Sequence, residues 1–461
     1  MNKDWMNYQL GELVHVKHGF AFKGEHFSTE PTPDILVTPG NFAIGGGFKE
    51  DNLKYYSGPV PEDYVLQPGD LIITMTDLSK AGDTLGYPAI VPSAIKRRYL
   101  HNQRIGLVTV TQPTLLDSRY LFYRLRAADY RHRILATASG STVRHTSPSR
   151  IQEFRTALPP LDDQRAIAGV LGALDDKIEL NRRTSRTLEK LARAIFRAWF
   201  VDFEPVKAKA GGARSFPGMP QEAFDALPTR LVPSELGPIP EGWEVKTIGD
   251  IADVIDCLHA KKPERCDTGR PFLQLNNIRD DGLIDTGDTY HINEADYGKW
   301  VCRIEATKGD CVITNVGRVG AVAQIPEGLK AALGRNMTGI RCLPTYPFPT
   351  LLIECLLSDA MCAEITGKID TGTILNALNV RNIPKLRFVL ADRRSVAYFE
   401  QICRPLRQKM EQNLLESRKL ATMRDYLLPK LLSGEVRVAE DSAGSILAPS
   451  GASRERKLAH E

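Results

Sequence analysis

The sequence repeats itself, and this property constrains the fold more than any other. The stretch PGDLIIT at 68–74 resembles KGDCVIT at 308–314, an offset of 240 residues. Trp5 with LGEL at 10–13 resembles Trp243 with IGDI at 248–251, an offset of 238. From Gly140 and Gly372 onward the offset stays at 232. A repeat of this kind predicts two similar units. Their loops differ in length in the first part of each half, whereas the second part tolerates no insertion.

The second part of each half is predicted to be a long helix, because its seam residues step by three and four. The first seam is Leu171, Leu174, Ile178, Asn181, Ser185, Leu188, Ala192, Ile195 and Trp199. The second, 232 residues later, is Cys403, Leu406, Met410, Asn413, Ser417, Leu420, Arg424, Leu427 and Leu431.

One such seam would indicate a core helix of a large domain, whereas two matched seams favour a packed pair that acts as a coiled-coil spacer. Each seam spans about 42 Å at 1.5 Å per residue. An Asn inside a seam lowers stability and commonly fixes register. The spacing alone leaves open whether the two helices run parallel or antiparallel.

The remaining chain divides by composition. Residues 1–159 and 243–391 carry short β-branched runs bounded by Gly, Pro, Asp and Asn, with helices predicted over 115–136 and 349–367, so each is an α+β domain. The long helices occupy 160–200 and 392–433. Residues 201–242, rich in Pro, Gly and Ala, are predicted to be a long linker. The tail, 434–461, is predicted to be disordered.

Composition excludes several classes of protein. The formal net charge of +4 excludes attachment to nucleic acid by bulk charge, but not a DNA-binding face. No apolar run is long enough to span a membrane, and the first residues lack a secretory pattern, so a cytoplasmic protein is expected. All eight cysteines follow residue 256 without a C-x-x-C motif. Reduced thiols and no metal site are therefore predicted.

Motifs of catalysis are absent from the sequence. It has no G-x-x-x-x-G-K-[ST] phosphate loop, G-x-S-x-G elbow or H-E-x-x-H. It also lacks the Asn/Asp-Pro-Pro-aromatic run that amino-methyltransferases use. Glu244 and Lys246 have a spacing found in nucleases, but no acidic partner is evident. These observations predict that the chain contains no catalytic centre.

Both predicted domains carry basic and amide side chains in the loops between strands. Arg bonds guanine and Asn or Gln bonds adenine, while Lys mainly meets phosphate. Taken singly, most such residues are ordinary solvated surface. The candidates for DNA contact in the first domain are Lys17, Lys23, Lys80, Arg97, Arg98, Gln103, Arg104 and Arg144. Those in the second domain are Lys261, Lys262, Arg265, Asn277, Asn315, Arg318, Arg335 and Asn336.

Several motifs around the first long helix resemble one known family. They are LPPLDDQRAI at 158–167, LDDKI at 174–178, NRR at 181–183 and AWFVDF at 198–203. SELGPIPEGW at 234–243 and RDYLLPKLLSG at 424–434 add to them. Together they resemble the specificity subunit of type I restriction–modification enzymes, over nearly the whole chain. The second half departs from the Pro-Pro-Leu-x-x-Gln pattern, with LADRRS at 390–395 in its place.

This resemblance implies two target-recognition domains joined by two antiparallel helices with pseudo-twofold symmetry. It implies that the chain reads a split sequence in double-stranded DNA and binds two methyltransferase subunits and restriction subunits. Catalysis, with S-adenosylmethionine, ATP and Mg, would belong to those partners, so no cofactor is expected on this chain. Two alternatives remain open from the residues themselves: a methyltransferase with an unrecognised cofactor site, and a coiled-coil scaffold without DNA contact.

Overall fold

A computed structural model describes residues 5–93, 96–370, 376–438 and 448–449. The chain divides into two compact units. The first unit comprises residues 1–178 and 419–461, and the second comprises residues 179–418. Each unit therefore contains one α+β domain and part of both long helices. Among the described residues, no helix is both long and apolar enough to cross a membrane.

The two long helices span Leu161–Phe200 and Arg393–Ser433. The first follows Pro159 and Pro160 and has Asp162 and Asp163 in its first turn, where acidic side chains favour a helix N-terminus. The second is capped by Asp392, whose Oδ1 accepts the backbone N–H groups of Arg394 and Ser395 at 3.0 Å. It ends before Gly434, whose φ of 73° suits glycine.

The predicted seams are buried or half-buried along their whole length, as packed helices require. The residues concerned are Leu171, Leu174, Ile178, Asn181, Ser185, Leu188 and Ile195, with Leu406, Met410, Asn413, Ser417, Leu420 and Leu427.

The helices run antiparallel within each unit. In the second unit Asn181 contacts Ser417, Ser185 contacts Asn413, and the rings of Phe196 and Phe399 lie 5.8 Å apart. Residue numbers thus rise along one helix as they fall along the other. In the first unit Asp175 meets Arg424 at 2.6 Å. The orientation that the spacing left open is settled by these contacts.

The first unit contains a four-stranded antiparallel sheet in the order Val14–His18, Ile105–Val110, Leu71–Thr74, Pro88–Ile90. A five-stranded sheet has the order Phe27–Ser28, Lys54–Tyr56, Asp34–Val37, Arg98–His101, Val65–Leu66. Shorter pairs join Met6–Gln9 to Arg155–Leu158, Thr76–Asp77 to Arg144–His145, and Val436–Arg437 to Ala448–Pro449. The helices are Ser118–Arg124, Ala128–Thr137 and Pro148–Gln152.

The second unit repeats this plan. Its four-stranded sheet has the order Ala252–Asp256, Met337–Cys342, Cys311–Thr314, Val322–Gln324, and a three-stranded sheet the order Tyr290–Ile292, Arg270–Leu273, Ala332–Leu333. Shorter pairs join Glu244–Thr247 to Arg387–Leu390, Leu231–Val232 to Ile239–Pro240, and Ile369–Asp370 to Ala377–Leu378. The helices are Glu204–Ala210, Gln221–Ala226, Ile248–Ile251, Glu294–Trp300, Pro349–Leu356 and Asp359–Thr366.

The sheet registers confirm the α+β fold class and the internal repeat. Met6 pairs with Leu158 as Glu244 pairs with Leu390, so the first and last strands of each domain close on each other. The four-stranded sheets share one order and one all-antiparallel pattern. The offsets between paired positions are those that the sequence shows.

Four stretches differ from their simplest sequence interpretation. Each helix predicted at 115–136 and 349–367 is divided in two, at residues 125–127 and 357–358. The stretch 201–242, predicted as a linker, carries two short helices and buries Val206, Phe224 and Ile239 in the core of the second unit. In the predicted tail, Val436 and Val438 pack against the first unit's core. Residues 439–447 and 450–461 of that tail lie outside the described residues.

A buried arginine joins each domain to a long helix. In the first unit Arg126 lies between two domain helices, contacts Asp175 on the long helix at 3.2 Å, and donates from Nε to Gly45 O in the turn 42–48. In the second unit Arg407 lies on the long helix and contacts Glu354 of the domain at 2.9 Å. It also donates to Gly282 O, at 2.8 Å, in the turn 278–284.

Candidate nucleic-acid interface

Three strands of the first unit meet at one end of the four-stranded sheet. His18 pairs with Gly106 and Thr74 pairs with Ile105, so two strands end where the central strand begins. Antiparallel pairing places these termini side by side. We call this region, at His18, Thr74 and Ile105, the strand-end surface of the first unit.

The turn before the central strand supplies two polar side chains to this surface. Gln103 and Arg104 are both exposed. The backbone N–H of Gln103 donates to Phe20 O at 2.8 Å, and Arg104 O accepts the N–H of Met75 at 2.9 Å. Within the part of the chain that the structure describes, neither side chain has a hydrogen bond or an ion pair. They are therefore available to a ligand.

The loop over residues 77–86 and the neighbouring strand Arg144–His145 each add one cation. Arg144 donates from Nε to Lys80 O at 3.1 Å, and Thr146 N–H donates to Met75 O at 3.0 Å. Lys80 and Arg144 thus lie beside the same strand end. Leu78, in the same loop, is 65% exposed. The sequence gives no local signal for Leu78, because single exposed apolar residues are common on protein surfaces.

Asp77 holds this loop in shape. Its carboxylate accepts the Ser79 N–H at 2.6 Å, the Thr84 hydroxyl at 2.6 Å and the Thr84 N–H. Burial raises the pKa of Asp77, but the hydrogen bonds from Thr84 and Ser79 outweigh burial and leave it below its ordinary value. The ionised side chain is therefore the form that the fold favours.

The other first-unit candidates are engaged within the protein. Lys17 donates to Asp63 O at 2.7 Å and lies 4.4 Å from the Tyr64 ring centroid. Lys23 pairs with Glu25, Arg97 with Glu50, and Arg98 with Asp34 through two bonds of 2.6 and 2.8 Å. The hydrogen bond and charge of Asp34 raise the pKa of Arg98. The structure does not bring these four to the strand-end surface as free cations.

The second unit has an equivalent surface. Asp256 pairs with Thr338 and Thr314 with Met337, so the same three strand ends meet. Arg335 and Asn336 precede the central strand, and Asn336 O accepts the Asn315 N–H at 2.8 Å. Asn336 has a φ of 67°. The Arg335 side chain is exposed and, among the described residues, makes no hydrogen bond or ion pair.

Two candidate DNA contacts in the second domain, Asn277 and Asn315, are buried and engaged within the protein. Asn277 is 1% exposed, and its side chain accepts the Gln274 N–H at 2.8 Å and donates to Asp285 O at 2.6 Å. Asn315 is 6% exposed and bonds Leu378 O and Thr338 Oγ1. The Asn315 amide joins two separate strands and the Asn277 amide stabilises a turn, because buried polar groups need partners. Asn41 does the same in the first unit, accepting the Thr38 N–H at 2.9 Å.

The remaining candidates lie in two loops of the second unit. Lys261, Lys262 and Arg265 are exposed, in the loop that follows Asp256. Lys262 lies 4.1 Å from the Tyr290 ring centroid and Arg265 pairs with Asp288 at 2.9 Å. Arg318 is bound inward, to Asp280 and Ile278 O. Of these, Lys261 is the cation least engaged by the protein.

One group of possible metal ligands occurs in the described residues. Donor atoms of Asp256, Cys257 and His259 lie within 4.8 Å of one another. His259 Nε2 is 2.8 Å from Asp256 Oδ2, and Arg303 lies 3.8 Å from the same carboxylate. Burial raises the pKa of the Cys257 thiol, which disfavours the thiolate that a metal requires. The Asp256 carboxylate is already shared between the His259 ring and the Arg303 guanidinium.

Known proteins resemble this chain over much of its length. A family model described as the type I restriction modification DNA specificity domain matches residues 2–190. The type I restriction enzyme MjaIX specificity subunit of Methanocaldococcus jannaschii is 27% identical over 364 residues, 77% of this chain and 76% of that protein. The HindI specificity subunit of Haemophilus influenzae is 24% identical over 489 residues, 94% of this chain and 100% of that protein.

The fold has a solved counterpart. The crystal structure of a type I restriction–modification S subunit from M. genitalium matches with a TM-score of 0.59 at 17% identity. The match covers 93% of this chain and 96% of that one. At this identity the likeness bears on the fold. Together with the sequence relatives it confirms the resemblance: over most of its length the chain is similar to the specificity subunits of type I restriction–modification systems.

Proposed function

We propose that this chain reads a two-part sequence in double-stranded DNA, one part with each unit, and directs methyltransferase and restriction subunits to it. The observation that carries the proposal is the recurrence of the strand-end surface. In both units a turn before the central strand presents polar side chains with no partner in the described structure. Such side chains are the ones that reach base edges, while neighbouring lysines meet phosphate.

The proposal includes that the chain is not itself an enzyme and that it acts in the cytoplasm. Catalysis with S-adenosylmethionine or ATP and Mg would take place on the partner subunits. Equilibrium dialysis with S-adenosylmethionine separates this from a methyltransferase, because the isolated chain should retain none. Tight binding by the chain alone would contradict the proposal.

The direct test uses the chain together with its methyltransferase partner. Methylated bases are sequenced in cells with and without the chain. We expect methylation at a split motif that depends on the chain. Duplex DNA binding by the complex should weaken steeply with salt. A methylation pattern unchanged by removal of the chain would refute the reading function. A chain that binds the methyltransferase partner while the complex does not bind DNA would refute it as well, and would indicate a scaffold.

A further inference from the structure

The two strand-end surfaces share one position where residue types can be compared directly. Gln103 and Arg104 immediately precede the central strand Ile105–Val110, and Arg335 and Asn336 precede Met337–Cys342. In each turn the carbonyl oxygen of the second residue, Arg104 or Asn336, accepts a backbone hydrogen bond from the residue that follows the neighbouring strand. The donors are the N–H groups of Met75, at 2.9 Å, and Asn315, at 2.8 Å. The two dipeptides therefore occupy equivalent places in the repeat.

The backbone of each dipeptide is fixed on both sides. In the first unit Asn102 Oδ1 accepts the Arg104 N–H at 3.0 Å, and the Gln103 N–H is bound by Phe20 O. In the second unit the Gly334 N–H donates to Leu273 O at 2.8 Å. A fixed backbone beneath free side chains lowers the entropy lost when those side chains bind. This combination is what a reading position requires.

The two dipeptides carry the same pair of functional groups. Each contains one guanidinium and one carboxamide, in opposite order along the chain: Gln103 then Arg104, and Arg335 then Asn336. Arginine bonds both acceptors of guanine, and Asn or Gln bonds the acceptor and donor of adenine. Most other candidate arginines lack this freedom, since Arg98, Arg265 and Arg318 are paired with aspartates.

We propose that Gln103–Arg104 and Arg335–Asn336 are the base-reading dipeptides of the two domains. Each contacts one A·T and one G·C base pair in its half of the target. This inference rests on the proposed function and assigns the DNA sequence specificity of the chain to four residues. It treats Lys80 and Arg144 as phosphate contacts, which add affinity without choosing a sequence.

The test is methylome sequencing with the full chain in complex with its methyltransferase partner. Arg104→Gln should change the preferred base at one position of one half-motif, with a loss of about tenfold or more for the original base. Arg335→Gln should do so in the other half only. Arg98→Gln is the matched control, because Arg98 is also exposed but bound to Asp34, and it should leave the motif intact.

Two results would overturn the inference. One is an unchanged motif in both variants. The other is methylation that falls equally at all sequences, which would mark these arginines as phosphate contacts. Melting temperatures of the variants should equal that of the parent, since both arginines are exposed. If the parent complex itself shows no split motif, the proposed function fails first, and the two failures are thus distinguished.

Discussion

Asn413 on the second long helix donates a hydrogen bond to Ser185 Oγ on the first, at 3.2 Å. The reciprocal pair, Asn181 and Ser417, lies at 3.4 Å. The sequence carries Asn and Ser four residues apart in both helices. Antiparallel pairing therefore places each Asn against the Ser of the other helix, and these polar positions fix the register.

Asn413→Asp tests this buried layer. Asn413 is 1% exposed, so a carboxylate there would be ionised without a cationic partner and should lower the free energy of unfolding by about 2–4 kcal/mol at pH 7. The loss should shrink near pH 4, where the new carboxyl takes up a proton. Urea unfolding at both pH values measures it. The control is Gln412→Glu, an exposed neighbour, and equal losses in the two variants would speak against a packed seam.

Arg407→Met should be strongly destabilising. Arg407 and Glu354 are each 2% exposed, so removal of the cation leaves a buried carboxylate unpaired, at a cost of about 3–5 kcal/mol. The double variant Arg407→Met with Glu354→Leu should recover most of this loss. Chemical denaturation of the parent, the single variants and the double variant gives the coupling free energy between Arg407 and Glu354. Exposed Lys409→Met is the control. A double variant no more stable than the single one would show that the pair is not coupled.

The lowered pKa of Asp77 predicts that the stability of the protein depends on pH. The folded pKa of Asp77 lies below the ordinary value, so on acidification the unfolded chain takes up the proton first. The contribution of Asp77 is therefore present above the unfolded pKa, about 3.9, and is lost as pH falls through the folded pKa.

Asp77→Asn should accordingly cost about 1–3 kcal/mol at pH 7 and flatten the stability profile below pH 4. Thermal melts across pH 2–7 provide the measurement, with exposed Asp83→Asn in the same loop as the control. A profile parallel to that of the parent would refute this role.

Lys80 and Arg144 should act on affinity but not on sequence choice. The double substitution to alanine should weaken DNA binding by the methyltransferase complex equally at all sequences. The slope of log affinity against log salt should fall by about two. Fluorescence anisotropy at several salt concentrations measures both effects. Lys23→Ala, which removes a cation paired with Glu25, is the control, and an equal effect there would argue against a special role for the loop.

The sequence predicts the long helices and the repeat well, because both depend on periodic or aligned positions along the chain. It does not predict the burial of Asn277 and Asn315, since nothing local to either residue shows that Asp285 O or Thr338 would lie beside it. The same limit applies to 201–242, where Pro and Gly suggested a linker but Phe224 packs in a core. Free side chains such as Arg104 are distinguishable from paired ones such as Arg98 only in three dimensions.

Each domain meets its long helix through the ion pair of a buried arginine, but the acid and the base are exchanged between the two halves. Asp175 and Arg407 are separated by the repeat offset of 232, yet one is an acid and the other a base. The first domain meets its helix with Arg126, and the second meets its helix with Glu354. A domain moved to the other half's helix would bring Arg126 beside Arg407, or Glu354 beside Asp175. Modular exchange within this chain must therefore carry the helix segment along with the domain.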